Sequence, residues 1–296
     1  MTPGSLIDGR AIADQIHLKT ADRIAALKVR GVQPGLAFVR VGDDPASKVY
    51  VGMKERTANR LGLFSVTRVL EEATSEGPLL ELIEELNRDL RIHGILVQSP
   101  LPSHIQSHKV YSSVLPSKDV DGFHPVNMGK LWAGDTTGFV PCTPAGVQEL
   151  LIQSQVRTDG AEVVILGRGN IVGKPMAAIL CQKAPHANAT VTLCHARTRE
   201  IAAHCRRADI LIAAMGVPRF VKADMIKPGA TVIDVGVNRV LDAKAQGGSQ
   251  LVGDVDFETA RSVAGKITPN PGGVGPMTIA MLMRNTVLAA ELAHGS

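Results

Sequence analysis

The sequence predicts an α/β fold made of two domains with mostly parallel sheets. Two observations carry this. Helical and strand-like patterns alternate almost from end to end, the order that lays helices against parallel strands. The chain has 296 residues, about two average domains. A strand–glycine loop–helix unit in the second half makes that half the nucleotide-type domain.

In the first half, short apolar runs at Gly35–Val41, Phe64–Leu70 and Gly94–Gln98 read as strands. Helical patterns fill the spaces at Ile12–Leu27, Ala46–Leu61 and Leu79–Leu90. Asp43-Asp44-Pro45 reads as a helix start, with Asp44 as N-cap and Pro45 in the first turn. Pro141–Gly146 breaks the pattern and is the expected domain junction. Beyond it, Val163–Gly167, Thr190–Cys194, Asp209–Ala213 and Thr231–Val235 form a second series of strands. Thr278–Leu292 reads as a long amphipathic helix.

Composition excludes several classes. Hydrophobic residues at 45% and charged residues at 20% are ordinary for a globular enzyme. No apolar run approaches the roughly 20 residues that span a bilayer, and the N-terminus lacks a secretory pattern. The net charge of +4 is spread along the chain, so neither nucleic acid nor membrane is an expected partner. Cys142, Cys181, Cys194 and Cys205 form no C-x-x-C pair. Reduced thiols in a cytoplasmic protein are the expected state, and no metal is expected at Cys194-His195 or His204-Cys205.

Val163-Val164-Ile165-Leu166 runs into Gly167-Arg168-Gly169-Asn170-Ile171-Val172-Gly173, followed by a helical pattern at Pro175–Gln182. Strand, glycine loop and helix in this order suit a dinucleotide pyrophosphate, because a helix N-terminus offers unpaired N–H groups. The domain is therefore read as Rossmann-type, although G-x-G-x-x-x-G is one residue longer than the common fingerprint. A simple strand–helix turn is the plainer alternative. Cofactor choice follows from the next strand, whose end carries an acid in NAD sites and favours arginine in NADP sites. Here Thr190–Cys194 runs into His195-Ala196-Arg197-Thr198-Arg199, with no carboxylate before Glu200. NADP is the expected cofactor, with Arg168, Arg197 and Arg199 available to its 2′-phosphate.

In the first domain, Ser47, Tyr50 and Lys54 share one helix face by their i, i+3, i+7 spacing. A solvated lysine is the plain reading. A lysine among apolar groups instead has its pKa lowered and exchanges protons near neutrality. Gln98 ends an apolar run, where α/β sheets place functional groups. Asp121-Gly122 is by itself a turn signal.

Four separated segments give these residues a context. They are Ser47–Lys54, Val97–Pro102 (Val-Gln-Ser-Pro-Leu-Pro), Lys118–Phe123 (Lys-Asp-Val-Asp-Gly-Phe) and Pro271–Thr278 (Pro-Gly-Gly-Val-Gly-Pro-Met-Thr). In this order, with the glycine loop between the third and fourth, they resemble the bifunctional methylenetetrahydrofolate dehydrogenase/cyclohydrolase family. The resemblance implies oxidation of 5,10-methylenetetrahydrofolate with NADP+ and hydrolysis of the product to 10-formyltetrahydrofolate. It implies a ligand cleft between the domains, and a homodimer. The resemblance of its preceding Gly/Pro loop implies that the last helix returns to the first domain. The expected domains are therefore residues 1–142 with 271–296, and residues 143–270. By the same resemblance Lys54 is the central catalytic residue and Gln98 its hydrogen-bond partner. Tyr50 stacks on the folate rings and Asp121 binds the amino-pyrimidine edge. Pro271, Gly272 and Gly273 are implied on the substrate. Gly167, Arg168, Gly169, Val172, Gly173, Ala196, Arg197, Val237 and Thr278 are implied on the cofactor.

Three positions depart from the family pattern. Gly169 and Ala196 stand where serine is usual or frequent, and Ser99 where leucine is commoner. A monofunctional dehydrogenase and a non-catalytic NADP- or folate-binding regulator are the alternatives.

Overall fold

The computed structural model describes residues 3–241 and 248–295. The chain runs β1 (Ser5–Leu6), α1 (Gly9–Val29), β2 (Gly35–Val41), α2 (Pro45–Leu61), β3 (Phe64–Leu70), α3 (Glu76–Arg88) and β4 (Gly94–Val97). Next come α4 (Ser107–Ser113), α5 (Pro125–Ala133), α6 (Cys142–Gln153), β5 (Glu162–Leu166), α7 (Gly173–Leu180), β6 (Thr190–Cys194) and α8 (Ile201–Cys205). The remainder is β7 (Ile210–Ala213), β8 (Thr231–Asp234), β9 (Asn238–Leu241), β10 (Ser249–Val252), α9 (Phe257–Arg261), β11 (Lys266–Ile267) and α10 (Val274–Ala293).

Two compact units result. One comprises Asp14–Cys142 with the chain from Ile279 onward. Its sheet has the order β3-β2-β4, all parallel, with Val39 opposite Val97. Every residue of β2 is buried, as expected of a parallel strand covered on both faces. Its core gathers Val39, Val41 and Val97 of the strands with Leu79 and Ile83 of α3.

The other unit comprises the chain up to Ala13 with Thr143–Thr278. Its sheet has the order β1-β11-β8-β7-β5-β6, again parallel throughout. From β5 the chain steps outward to β6, then crosses back over β5 to β7. Strand order therefore reverses at β5, and in open α/β sheets such a reversal opens a ligand crevice at the carboxyl ends of the strands. β9 and β10 pair with each other as a separate antiparallel ribbon.

The structure departs from the sequence reading in three places. The units divide between Cys142 and Thr143, inside Pro141–Gly146, but the segment does not break the pattern, because α6 begins at Cys142 and Pro144 lies in its first turn. Proline is accommodated there, since the first helical N–H groups lack intrahelical acceptors. The N-terminal segment joins the second unit, where Ser5 and Leu6 pair with Lys266 and Ile267. Residues 271–278 also belong to that unit, and the division falls inside α10, between Thr278 and Ile279.

Candidate active site

The α2 helix positions the lysine. Asp44 caps it by accepting from Ser47 N at 2.7 Å, and Pro45 occupies the first turn. Ser47, Val51, Lys54 and Ala58 then form its buried stripe, with Tyr50 half-buried beside them. A lysine on the buried face of a helix is unusual and needs a partner. Lys54 is 8% exposed, and its Nζ donates to Gln98 Oε1 at 3.0 Å.

Gln98 reaches that position because it follows β4, with its N–H donating to Val39 O at 2.8 Å. Its side-chain amide donates to Ser99 O at 2.6 Å, which turns the amide oxygen toward the lysine.

Asp121 and Cys142 complete the cluster. Burial pushes the Lys54 amine below the ordinary lysine range, while the charges of Asp121 and Cys142 oppose the shift. Burial raises the Asp121 carboxyl, opposed by Lys54 and by the neighbouring Cys142 thiol. The Cys142 thiol is pushed well above its usual value, first by burial and then by Asp121. Burial thus favours the neutral amine of Lys54, and the Asp121 charge works against that shift.

Three residues that sequence reasoning missed hold this cluster. Asp119 accepts from Phe123 N, His124 N and Asn127 Nδ2 at 3.1, 2.8 and 2.8 Å, which closes the loop carrying Asp121. Its burial raises its own carboxyl to about 7. Asn285 of α10 donates to Val120 O at 2.9 Å and Val140 O at 3.2 Å. Cys142 donates its thiol proton to Val120 O at 3.2 Å. The partners of Asn285 and Cys142 lie far away in sequence, so no local pattern marks them, whereas those of Asp119 are local, four to eight residues on.

The second unit carries the glycine loop. Gly167 follows β5 with φ of 114°, and a Cβ there would lie 2.1 Å from Ala214 O. Only glycine lets the two strand ends approach so closely. A Cβ at Gly173 would lie 1.9 Å from Gly167 O, so the helix start is equally constrained. Gly169 differs, because a Cβ there meets nothing within 4 Å. Arg168, Gly169, Ala196 and Arg197 are exposed, and Val172 precedes α7. The register Leu166↔Cys194 sets the loops after β5 and β6 side by side. The residues present thus fit a phosphorylated dinucleotide: a glycine cradle at a helix start, exposed arginines, and no acid at the end of β6.

The remaining predicted residues also lie in this unit. Val237 is half exposed just beyond β8. Gly272 has φ of 109°, and Gly273 approaches Pro269 O so closely that a Cβ would lie 2.6 Å away. Thr278 Oγ1 lies 2.9 Å from Thr143 Oγ1. Structure therefore gathers Lys54, Gln98 and Asp121 in one unit, with Tyr50 on the same helix as the lysine. Pro271, Gly272 and Gly273 stand in the other, with the glycine loop.

Two family models match the chain. The tetrahydrofolate dehydrogenase/cyclohydrolase catalytic domain covers residues 7–121, and the NAD(P)-binding domain of the same family covers 141–294. The chain belongs to this dehydrogenase/cyclohydrolase family. It is 55% identical over 293 residues to the bifunctional protein FolD of Desulfotalea psychrophila, covering 98% of this chain and 99% of that one. Among solved structures, the bifunctional FolD enzyme of Campylobacter jejuni is similar at a TM-score of 0.92 with 44% identity, covering 98% and 99% of the two chains. The Trypanosoma brucei FolD, solved with NADP and an inhibitor, superposes at a TM-score of 0.95 with 39% identity over 100% of both chains. In this dehydrogenase/cyclohydrolase the glycine loop belongs to the matched NAD(P)-binding domain, and Lys54 and Gln98 to the matched catalytic domain.

Proposed function

We infer that this protein oxidises 5,10-methylenetetrahydrofolate to 5,10-methenyltetrahydrofolate with NADP+, then hydrolyses the product to 10-formyltetrahydrofolate. The single observation that carries the reading is the buried Lys54 Nζ bound to Gln98 Oε1 at 3.0 Å beside Asp121. Hydrolysis of a methenyl bridge needs water activated at the bridging carbon and a ring nitrogen protonated as the carbon–nitrogen bond breaks. A lysine with a lowered pKa accepts the water proton in its neutral form and returns it to the ring nitrogen. Gln98 holds the amine in place while it does so. Asp121 binds the amino-pyrimidine edge, where a carboxylate accepts parallel N–H bonds, and Tyr50 stacks on the folate rings.

NADP+, when bound, supplies the hydride acceptor. Gly167 and Gly173 would hold its pyrophosphate against the α7 N-terminus, with Arg168 and Arg197 toward the 2′-phosphate. The folate-binding reading belongs to the unit with Lys54, while Pro271, Gly272 and Gly273 remain candidates for close backbone approach to a flat substrate.

The cysteines are free and mostly buried, which fits a reducing cytoplasm. Among the described residues no helix is long and apolar enough to cross a membrane. A homodimer is the assembly the family points to, and light scattering tests it. The activity test follows absorbance of purified protein with methylenetetrahydrofolate and NADP+, then with methenyltetrahydrofolate alone. Turnover in the first assay without the second would favour a monofunctional dehydrogenase, and turnover in neither a binding protein.

A further inference from the structure

Two buried carboxylates outside the lysine site tie together the loops at the carboxyl edge of the six-stranded sheet. Asp254 is 0% exposed. Its Oδ2 accepts from Met215 N at 2.7 Å and Gly216 N at 2.9 Å, just after β7. Its Oδ1 accepts from Asn238 Nδ2 at 2.8 Å, at the start of β9, where the loop after β8 ends. Asp234, 3% exposed, ends β8 and accepts from Gly236 N at 3.0 Å and from Asp254 N at 2.9 Å through Oδ1. Its Oδ2 accepts from Val255 N at 3.1 Å. Asn270 Nδ2 donates to Gly236 O at 2.5 Å, bringing in the segment before Pro271.

The fit is tight around both acids. A Cβ at Gly236 would lie 2.2 Å from Asp254 Oδ1, and one at Gly253 would lie 1.7 Å from Asp234 Oδ2. Every polar partner named is a donor, and among the described residues neither acid forms a salt bridge. Burying such groups is costly, and the cost falls on loops rather than on the sheet core.

Placement gives this arrangement a use. Strand order reverses at β5, so a dinucleotide straddles that point, with its adenosine half over the loops after β5 and β6. The other half then lies toward the ends of β7 and β8, where Asp254 fixes both loops. We propose that Asp254, supported by Asp234, is a positioning residue that orients the nicotinamide half of NADP for hydride transfer through the 215–216 and 236–238 loops. The proposal rests on the dehydrogenase reading of this site.

The donor pattern supplies a sharp test. In Asp254→Asn the amide oxygen can still accept from Met215 and Gly216, but its NH2 then meets the Asn238 NH2, donor against donor. The double variant Asn238→Asp/Asp254→Asn restores a donor–acceptor pair. Three readouts are compared: dehydrogenase kcat, cyclohydrolase activity without cofactor, and the calorimetric affinity for 2′,5′-ADP, a probe of the adenosine half. Asp254→Asn is expected to lower dehydrogenase kcat by about tenfold or more, with the other two readouts within about twofold. The double variant is expected to recover most of the lost kcat. An unchanged kcat overturns the proposal. So does an equal loss of 2′,5′-ADP affinity, or a double variant no better than the single one.

If Asp254→Asn yields no folded protein, Asn238→Ala carries the test by removing one donor, with the same split expected and an unchanged kcat overturning it. Wild-type protein without dehydrogenase turnover would count against the functional reading instead. The inference would then be tested by binding, since Asp254→Asn must weaken NADP+ more than 2′,5′-ADP and equal effects would overturn it.

Discussion

Lys54 and Asp121 shift each other in opposite directions within one cluster, the lysine buried and the acid partly so. Burial lowers the amine and raises the carboxyl, and each charge partly reverses the shift of the other. The pair therefore has a titration that can be read in activity.

The neutral amine is the form that accepts a proton from water, so cyclohydrolase kcat should rise with pH through the Lys54 pKa. Burial places that limb below the ordinary lysine range. Asp121 holds the Lys54 pKa up, so Asp121→Asn should move the limb to lower pH. A pH profile of kcat at saturating substrate checks this, and a limb moving upward contradicts it.

Asp121→Ala should weaken folate binding while leaving NADP+ binding largely unchanged. Removing one partner of a buried charge-assisted pair costs about 2–5 kcal/mol. Calorimetry with each ligand separately decides the matter. Equal losses would make Asp121 a support of the fold.

NADP+ should be preferred to NAD+, judged by the ratio of kcat/KM values. Arg168 and Arg197 both stand exposed beside the adenosine-side loops. Substituting each by alanine identifies which of them meets the 2′-phosphate, by a fall in that ratio. Gly169→Ser and Ala196→Ser return hydroxyls and should raise the NADP+ preference. A wild-type ratio below one would overturn the NADP reading.

Glycines of the same loop should differ in thermal stability. Gly167→Ala meets Ala214 O and a φ of 114°, and should cost more than about 1 kcal/mol. Gly169→Ala meets nothing and should stay within about 0.5 kcal/mol. Denaturant titration of both variants gives the comparison.

The sequence was legible where local pattern and burial coincide. Gly35–Val41, Phe64–Leu70 and Thr190–Cys194 were readable to the residue because continuous or β-rich apolar runs ended at turn residues. The two-residue strands Ser5–Leu6 and Lys266–Ile267 are too short to show any period, which is why the pairing of the N-terminal segment with the larger sheet is not legible in the sequence. The site divided along the same line. Lys54 and Gln98 stand on a regular helix and a strand end, where spacing alone gave a solvated lysine and a capping amide, and the family resemblance of their segments marked them as site residues. Cys142 and Asn285 act through contacts made only in the fold, across as many as 165 residues between Asn285 and Val120, while Asp119 closes a local loop that the Asp-Gly turn signal overshadows. Gly169 shows the converse: its loop reads as a glycine fingerprint, yet nothing in the fold demands glycine at that position.

The most direct test of the central claim is the cyclohydrolase activity of Lys54→Ala with methenyltetrahydrofolate, on protein shown by circular dichroism to be folded. Loss of the amine removes the only side chain of the Gln98-bound pair able to carry a proton between water and the ring nitrogen. Hydrolysis should fall to the uncatalysed rate while NADP+ affinity stays at the wild-type value. Hydrolysis within a few-fold of wild type would contradict the account.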